Sequence, residues 1–307
     1  MLFSVDLGTP VSKAVDWLTE NLGGLFDAIT SVMTSLVNAV LYVLTAPHML
    51  VIIVVFTVLA FLARGWLFAA FTLGSFLLIQ GMGLWTAAMQ TLAVVVVASA
   101  FAVVIGVPIG VWAARSPLVS TLVRPVLDFL QTLPVFVYLI PAVFFFGIGL
   151  VPGVVATIAF AVAPAVRLTE LGIRQVDPEV VEAAHAFGAR PAQILRGVQL
   201  PLALPSIMAG INQVIMLALS MVVIAGMVGA AGLGTVVVRG ISQLDIGIGF
   251  QGGLAVVFLA IFLDRVTSAL AAPDGRRFRI RRRTGTPDAA DIEKSPTAAA
   301  PTAPVSA

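Results

Sequence analysis

Cysteine is absent from this 307-residue chain, so neither a disulfide framework nor a thiolate metal site is open to it. Charge is scarce: 10% of the residues are Asp, Glu, Lys or Arg, against 60% hydrophobic, which places the chain in the membrane class before any motif is read. Lysine is scarcer still, with none between Lys13 and Lys294. A phosphate-cradling loop of the G-x-x-x-x-G-K-S/T type requires a lysine, so the chain does not bind ATP in that way by itself. The first ten residues lack a basic start followed by an apolar run, and no cleaved signal peptide is expected.

The charges that exist are segregated. None occurs in 65–114, 129–166, 197–238 or 246–263, windows of 50, 38, 42 and 18 residues. One membrane-crossing helix needs roughly 20 residues. A soluble core helix would alternate with a polar face, and these windows do not. Their Gly and Pro are tolerable where packed neighbours satisfy the freed backbone groups. The expected fold is all-α: a polytopic membrane helical bundle with seven spans at 47–63, 66–82, 88–113, 130–149, 151–166, 206–230 and 247–263.

With the N-terminus outside, 15 of the 17 basic residues fall on one side, leaving only Lys13 and Arg239 on the other. By the positive-inside rule the loop 167–205 and the C-terminus are then cytoplasmic. Residues 1–46 form a separate N-terminal segment. Val11, Val15, Leu18, Leu22, Leu25 and Ile29 recur at steps of four and three, opposite Lys13, Asp16, Glu20 and Asp27, as in an amphipathic helix lying in the interface. An eighth span over 29–44 is the alternative, and it would put the N-terminus inside. The membrane body is 47–270. The tail, 271–307, turns to Arg and then to Pro, Thr and Ala, a composition without a core. Its arginines at 276–283 directly follow a span, which favours anionic lipid over nucleic acid as their contact.

Within the cytoplasmic loop the local signals are clear. Asp177-Pro178 starts a helix, with Asp as cap and Pro at the first helical position, and Gly188 stops it, giving a helix over 178–187. Pro191 opens a second short helix carrying Ile194, Leu195 and Val198, ended by Pro201. Ala183 and Ala184 allow close approach of a partner, Phe187 offers an apolar anchor, and Glu182 adds a charge that can set register. The competing reading is an ordinary loop helix without a partner.

Glu182-Ala183-Ala184, then Gly188, nine residues, and Val198-Gln199-Leu200-Pro201 resemble the EAA loop of ABC importer permeases, whose pattern is E-A-A-x-x-x-G, nine residues, I-x-L-P. Val198 stands in place of Ile. A second set of residues is similar to the glycine betaine/proline betaine permeases: Gln131-Thr132-Leu133-Pro134 and Phe136-Val137-Tyr138-Leu139-Ile140-Pro141, Phe146-Gly147-Ile148-Gly149, Met208-Ala209-Gly210-Ile211-Asn212-Gln213, Gly232-Leu233-Gly234 and Leu263-Asp264-Arg265. The likeness covers about 84–270.

The resemblance implies the type I ABC importer permease fold and a subunit with no catalytic residue and no cofactor of its own. ATP and Mg would be bound by a partner ABC ATP-binding subunit. Other implied partners are an extracellular or periplasmic solute-binding protein and a second permease copy, in a bacterial inner or plasma membrane. Glu182, Ala183, Ala184, Phe187, Gly188, Leu200 and Pro201 would couple to the ATPase. Glycine betaine or proline betaine is the implied solute, with choline or carnitine as the alternative. A stand-alone secondary transporter or channel would need ionisable groups within its spans, and the central spans have none. A quaternary ammonium favours an aromatic cage, yet only two tyrosines and four tryptophans are scattered along the chain. Selectivity is therefore expected in the binding protein, with Tyr138 and Phe136 as the candidate contacts along the translocation path. His185 has only His48 as an imidazole partner, on the opposite side, so a polar surface role is expected rather than metal binding. The basic cluster at 276–283 is read as a topogenic anchor, with sensing of ionic strength through anionic lipid as the alternative.

Overall fold

The computed structural model describes residues 8–271, which form helices joined by short turns, with no strand among them. In chain order these are α1 (Gly8–Thr45), α2 (Met49–Arg64), α3 (Trp66–Gly81), α4 (Trp85–Arg115), α5 (Pro117–Thr132), α6 (Val135–Phe146), α7 (Leu150–Arg174), α8 (Pro178–Ala186), α9 (Pro191–Ile194), α10 (Leu200–Met227), α11 (Leu233–Ser242) and α12 (Ile246–Ala271). Five stretches are long and apolar enough to cross a membrane, and α5 with α6 makes a sixth if the bent pair is one span. Large apolar side chains stand outward along the body, among them Phe61, Trp66, Leu67, Trp112 and Leu118. In water so much exposed apolar surface would aggregate, whereas in lipid it is the ordinary outer face.

The core is a layer of three helices with α7 in the middle. Lipid tails are as apolar as the helices, so association depends on close packing, and small residues sit at each crossing. A Cβ on Gly106 of α4 would come within 2.6 Å of the Ala165 Cβ, and one on Gly110 within 2.6 Å of the Val166 carbonyl oxygen. On the other face of α7, a Cβ on Gly153 would meet Ala225 at 2.7 Å and one on Gly172 would meet Ser206 at 2.7 Å. The pairings show α4 and α7 running parallel and α10 antiparallel to both. A second cluster, around Phe56, Phe76, Met89, Leu92, Leu233, Leu259 and Phe262, joins α2, α3 and α12 to the layer.

Three expectations are corrected and one is refined. Residues 1–46 do not make an interfacial segment throughout: α1 is one continuous helix, and Val15–Thr45 is itself long and apolar enough to span. Met33 and Val37 are buried against Ala93, Val94, Val97 and Ala98 of α4 and against Val151 and Val154 of α7. Side-chain hydroxyls are cheap inside a helix where they bond to the preceding turn, as Thr45 Oγ1 does to the Leu41 carbonyl at 2.8 Å. Leu41 and Leu44 pack in the cluster that holds Ala88 and Met89. Hence α1 runs antiparallel to α4, and its start heads to the side of the loop between α7 and α10.

The spans expected at 47–63 and 66–82 are α2 and α3, two 16-residue helices turning at Gly65, whose φ of 87° is readily available only to glycine. At 1.5 Å per residue each is about 24 Å long, shorter than a bilayer core. The span expected at 130–149 is broken: α5 and α6 meet at 97°. Pro134 removes one backbone donor and holds Leu133 extended, at φ −64° and ψ 135°, which ends α5. Finally, Pro201 does not end the second loop helix. Residues Leu195–Gln199 form a π-turn in which the Leu200 N–H reaches the Leu195 carbonyl. This wider turn leads directly into α10, where Pro201 sits in the first turn, so the span expected at 206–230 starts earlier. The tail beyond 271, with its basic cluster, lies outside the described residues.

Candidate functional site

The elbow between α7 and α10 is built from local signals. The Asp177 Oδ1 accepts the Glu179 N–H at 2.9 Å, capping α8, and Pro178 occupies the first turn. At the other end Gly188 has φ 78°. Its N–H donates to the His185 carbonyl at 2.9 Å, and the Ala189 N–H donates to the Ala184 carbonyl at 3.1 Å. These two bonds make a Schellman cap, so the spacing between Ala184 and Gly188 is a hydrogen-bond register. The next helix starts with the Gln193 Oε1 accepting the Arg190 N–H at 2.8 Å.

The expected coupling residues divide into two groups. Glu182, Ala183, Phe187 and Gly188 are exposed, Ala184 is half-buried, and no residue of α8 is buried. Phe187 is 92% exposed at the tip. Burying such a ring is worth about 1.5–3 kcal/mol, so a bare phenylalanine here is a strong docking feature. Leu200 belongs to the anchor of the elbow. It packs with Ile194, Leu195, Ile173, Ala203 and Ile207, alongside Val107, Val111 and Ala114 of α4. Pro201 is exposed beside it. The elbow therefore presents one bare face and roots its other end among α4, α7 and α10.

Sequence reasoning passed over Glu170. This carboxylate is 6% exposed, and its Oε1 accepts from Ser120 Oγ at 2.7 Å and Arg124 Nη2 at 3.2 Å, with Arg174 Nη2 at 3.1 Å. Arg174 Nη2 also donates to the Ala113 carbonyl at 2.9 Å. Arg167 pairs with Asp128 close by. Together these side chains line an open cleft of about 340 Å³ at the foot of the elbow. The available signal was the four-residue spacing of Glu170 and Arg174, which places both on one helix face.

Tyr138 and Phe136 do not form one surface. Tyr138 is 8% exposed, packed with Leu139, Ala156 and Met221 and edge-on to Phe160 at 6.3 Å, while Phe136 is 52% exposed. The Tyr138 hydroxyl is buried without a hydrogen-bond partner among the described residues. Asp264 and Arg265 pair at 3.6 Å as their adjacency suggested. Asp264 also accepts from Asn212 Nδ2 at 2.8 Å, and Thr267 Oγ1 donates to Asn212 Oδ1 at 2.7 Å, tying α10 to α12. His185 is exposed on α8, and no group of three or more metal-ligating side chains occurs among the described residues.

Residues 106–272 match the family described as binding-protein-dependent transport system inner membrane component. The chain belongs to that family. It is 48% identical over 263 residues to the glycine betaine transport system permease protein of Bacillus subtilis strain 168, a match covering 86% of this chain and 93% of that one. It is 47% identical to the glycine betaine/proline betaine transport system permease protein of Escherichia coli strain K12, over 87% of this chain and 75% of that one. The glycine betaine/carnitine transport permease protein of Listeria monocytogenes is 50% identical over 87% of this chain and 95% of its own length. Among solved structures, inward-facing forms of the MetNI methionine ABC transporter share the fold. One aligns with a TM-score of 0.55 at 25% identity, covering 61% of this chain and 94% of that one. The chain is thus the membrane-embedded permease component of an ABC transporter, and ATP hydrolysis belongs to a separate subunit.

Proposed function

We propose that this permease admits glycine betaine, proline betaine or a closely related quaternary amine by alternating access, driven by an ATPase that grips the α8 elbow. The bare α8 carries the reading: a capped, stiff helix with no buried residue and an exposed Phe187 at its tip is shaped to enter a groove on another protein. ATP binding would close the ATPase pair, displace α8 and, through the anchor at Ile194 and Leu195, shift α4, α7 and α10. Two permease copies would enclose the path, and a solute-binding protein would deliver to the face opposite the elbow.

The solute class follows the names of the relatives that match most of the chain. Ring contacts within the body support selection by the binding protein. The larger ring cluster, Phe56, Phe76, Trp85 and Phe262, fills the core instead of a cavity. The antiparallel course of α1 sends Lys13 to the elbow side too, so that of the two basic residues first placed on the other side only Arg239 stays there. That distribution supports a cytoplasmic elbow.

The absence of cysteine makes the test clean, since a single introduced thiol has no competitor in this chain. A Phe187→Cys permease, assembled with its ATPase in proteoliposomes, is expected to crosslink to that subunit through a short bifunctional reagent. Uptake of labelled glycine betaine by the unsubstituted complex is expected to require ATP and the binding protein. ATP-independent uptake, or no crosslink while transport runs, would overturn the proposal; carnitine or choline uptake in place of betaine would reassign the solute.

A further inference from the structure

We infer that Glu170 is the pivot that makes α4, α5 and α7 move as one when α8 is pushed, and is thus a positioning residue for transport. The inference rests on the ATP-driven reading above. Among the described residues Glu170 is the only Asp, Glu, Lys, Arg or His that is buried. A buried carboxylate persists only where it is paired and hydrogen-bonded, and one oxygen here collects both a hydroxyl and two guanidinium groups. Ser120 and Arg124 come from α5, and Arg174 is the last residue of α7. The same Arg174 nitrogen then reaches the Ala113 carbonyl in the last turn of α4.

Glu170, seven residues before the Asp177 cap of α8, therefore joins α7 to the first half of α5, and Arg174 extends the link to the end of α4. Because α8 has no buried residue, a force on it enters the body only through its two flanks. One flank is the apolar anchor at Ile194 and Leu195. The other is the short stretch from Arg174 to Asp177. Close apolar packing resists displacement through contact alone, whereas charge-assisted hydrogen bonds also hold direction and switch between discrete arrangements. The Glu170 cluster, with the neighbouring Arg167–Asp128 pair, supplies the directional links on that second flank, and it reaches α5, which the apolar anchor does not touch. A displaced Arg174 would pull on the start of α5 and the end of α4 at once.

Glu170→Gln keeps the size of the side chain and an oxygen for Ser120 but removes the charge. In the full complex in proteoliposomes, the solute imported per ATP hydrolysed is expected to fall about tenfold, the scale of losing hydrogen bonds to a charged group. ATP turnover itself should persist, and Glu170→Asp should recover much of the ratio. Arg124→Gln, at the exposed edge of the cluster, folds more safely and should lower the ratio about threefold. An unchanged ratio in Arg124→Gln or Glu170→Gln would overturn the pivot. So would a parallel fall of uptake, ATP turnover and assembled complex, which is the mark of a purely structural role. If the unsubstituted complex imports nothing on ATP, the transport reading fails instead.

Discussion

The α4–α7–α10 layer and the α8 elbow are separated by only three residues, 175–177, yet they obey opposite packing rules. In the layer, glycines bring backbones together until an added Cβ would collide with a carbonyl or a side chain. On α8 nothing is buried, and around Gly188 a Cβ would meet no atom within 4 Å. The layer is stiff because every displacement meets an atom. The elbow is stiff for a different reason: its cap and its Schellman turn hold it internally while leaving its surface bare. A rigid handle with a bare surface on a rigid body is what the proposed coupling to an ATPase would use.

One substitution placed in both regions sharpens the contrast. Gly110→Val drives a branched side chain into the Val166 carbonyl and Thr169, an overpacking that costs about 3 kcal/mol or more in a tight core. The expected outcome is loss of most of the monodisperse protein in detergent, and normal yield with an unchanged thermal midpoint would break the account of the layer. Gly188→Val meets no steric obstacle but must adopt φ near 78°, at about 1–2 kcal/mol. Yield and thermal midpoint should hold while uptake collapses and ATP turnover continues; retained uptake would show that the turn is not needed. The smallest effect is at Asn212→Ala, which cuts the link from α10 to Asp264 and Thr267 on α12. Polar contacts between membrane helices average about 0.6 kcal/mol, so a small drop in thermal midpoint with uptake preserved is expected.

The elbow was legible because its chemistry is local. Asp177 as cap, Pro178 in the first turn and Gly188 at the left-handed stop each act through backbone groups no more than five residues apart, and each does in the structure what its type suggests. The broken α5–α6 pair was half legible. Pro134 was in view, but a proline in an apolar run is also tolerated in a straight span. The course of α1 was misjudged because Thr30, Ser31, Thr34, Ser35 and Asn38 lower its apolarity, and only the surfaces of α4 and α7 reveal what covers Met33 and Val37. Glu170 was passed over since two of its partners lie 46 and 50 residues away.

By itself the sequence determined that this chain lives in lipid, that it cannot cradle ATP on a lysine loop, and where the short helix α8 begins and ends. Composition and short-range hydrogen bonding suffice for those, because they act on each segment alone. Which helices are neighbours, which way α1 runs, and that a carboxylate near the end of α7 ties that helix to α5 were decided by tertiary structure. Those outcomes depend on atoms brought together from distant parts of the chain, and no local pattern encodes the distance between them.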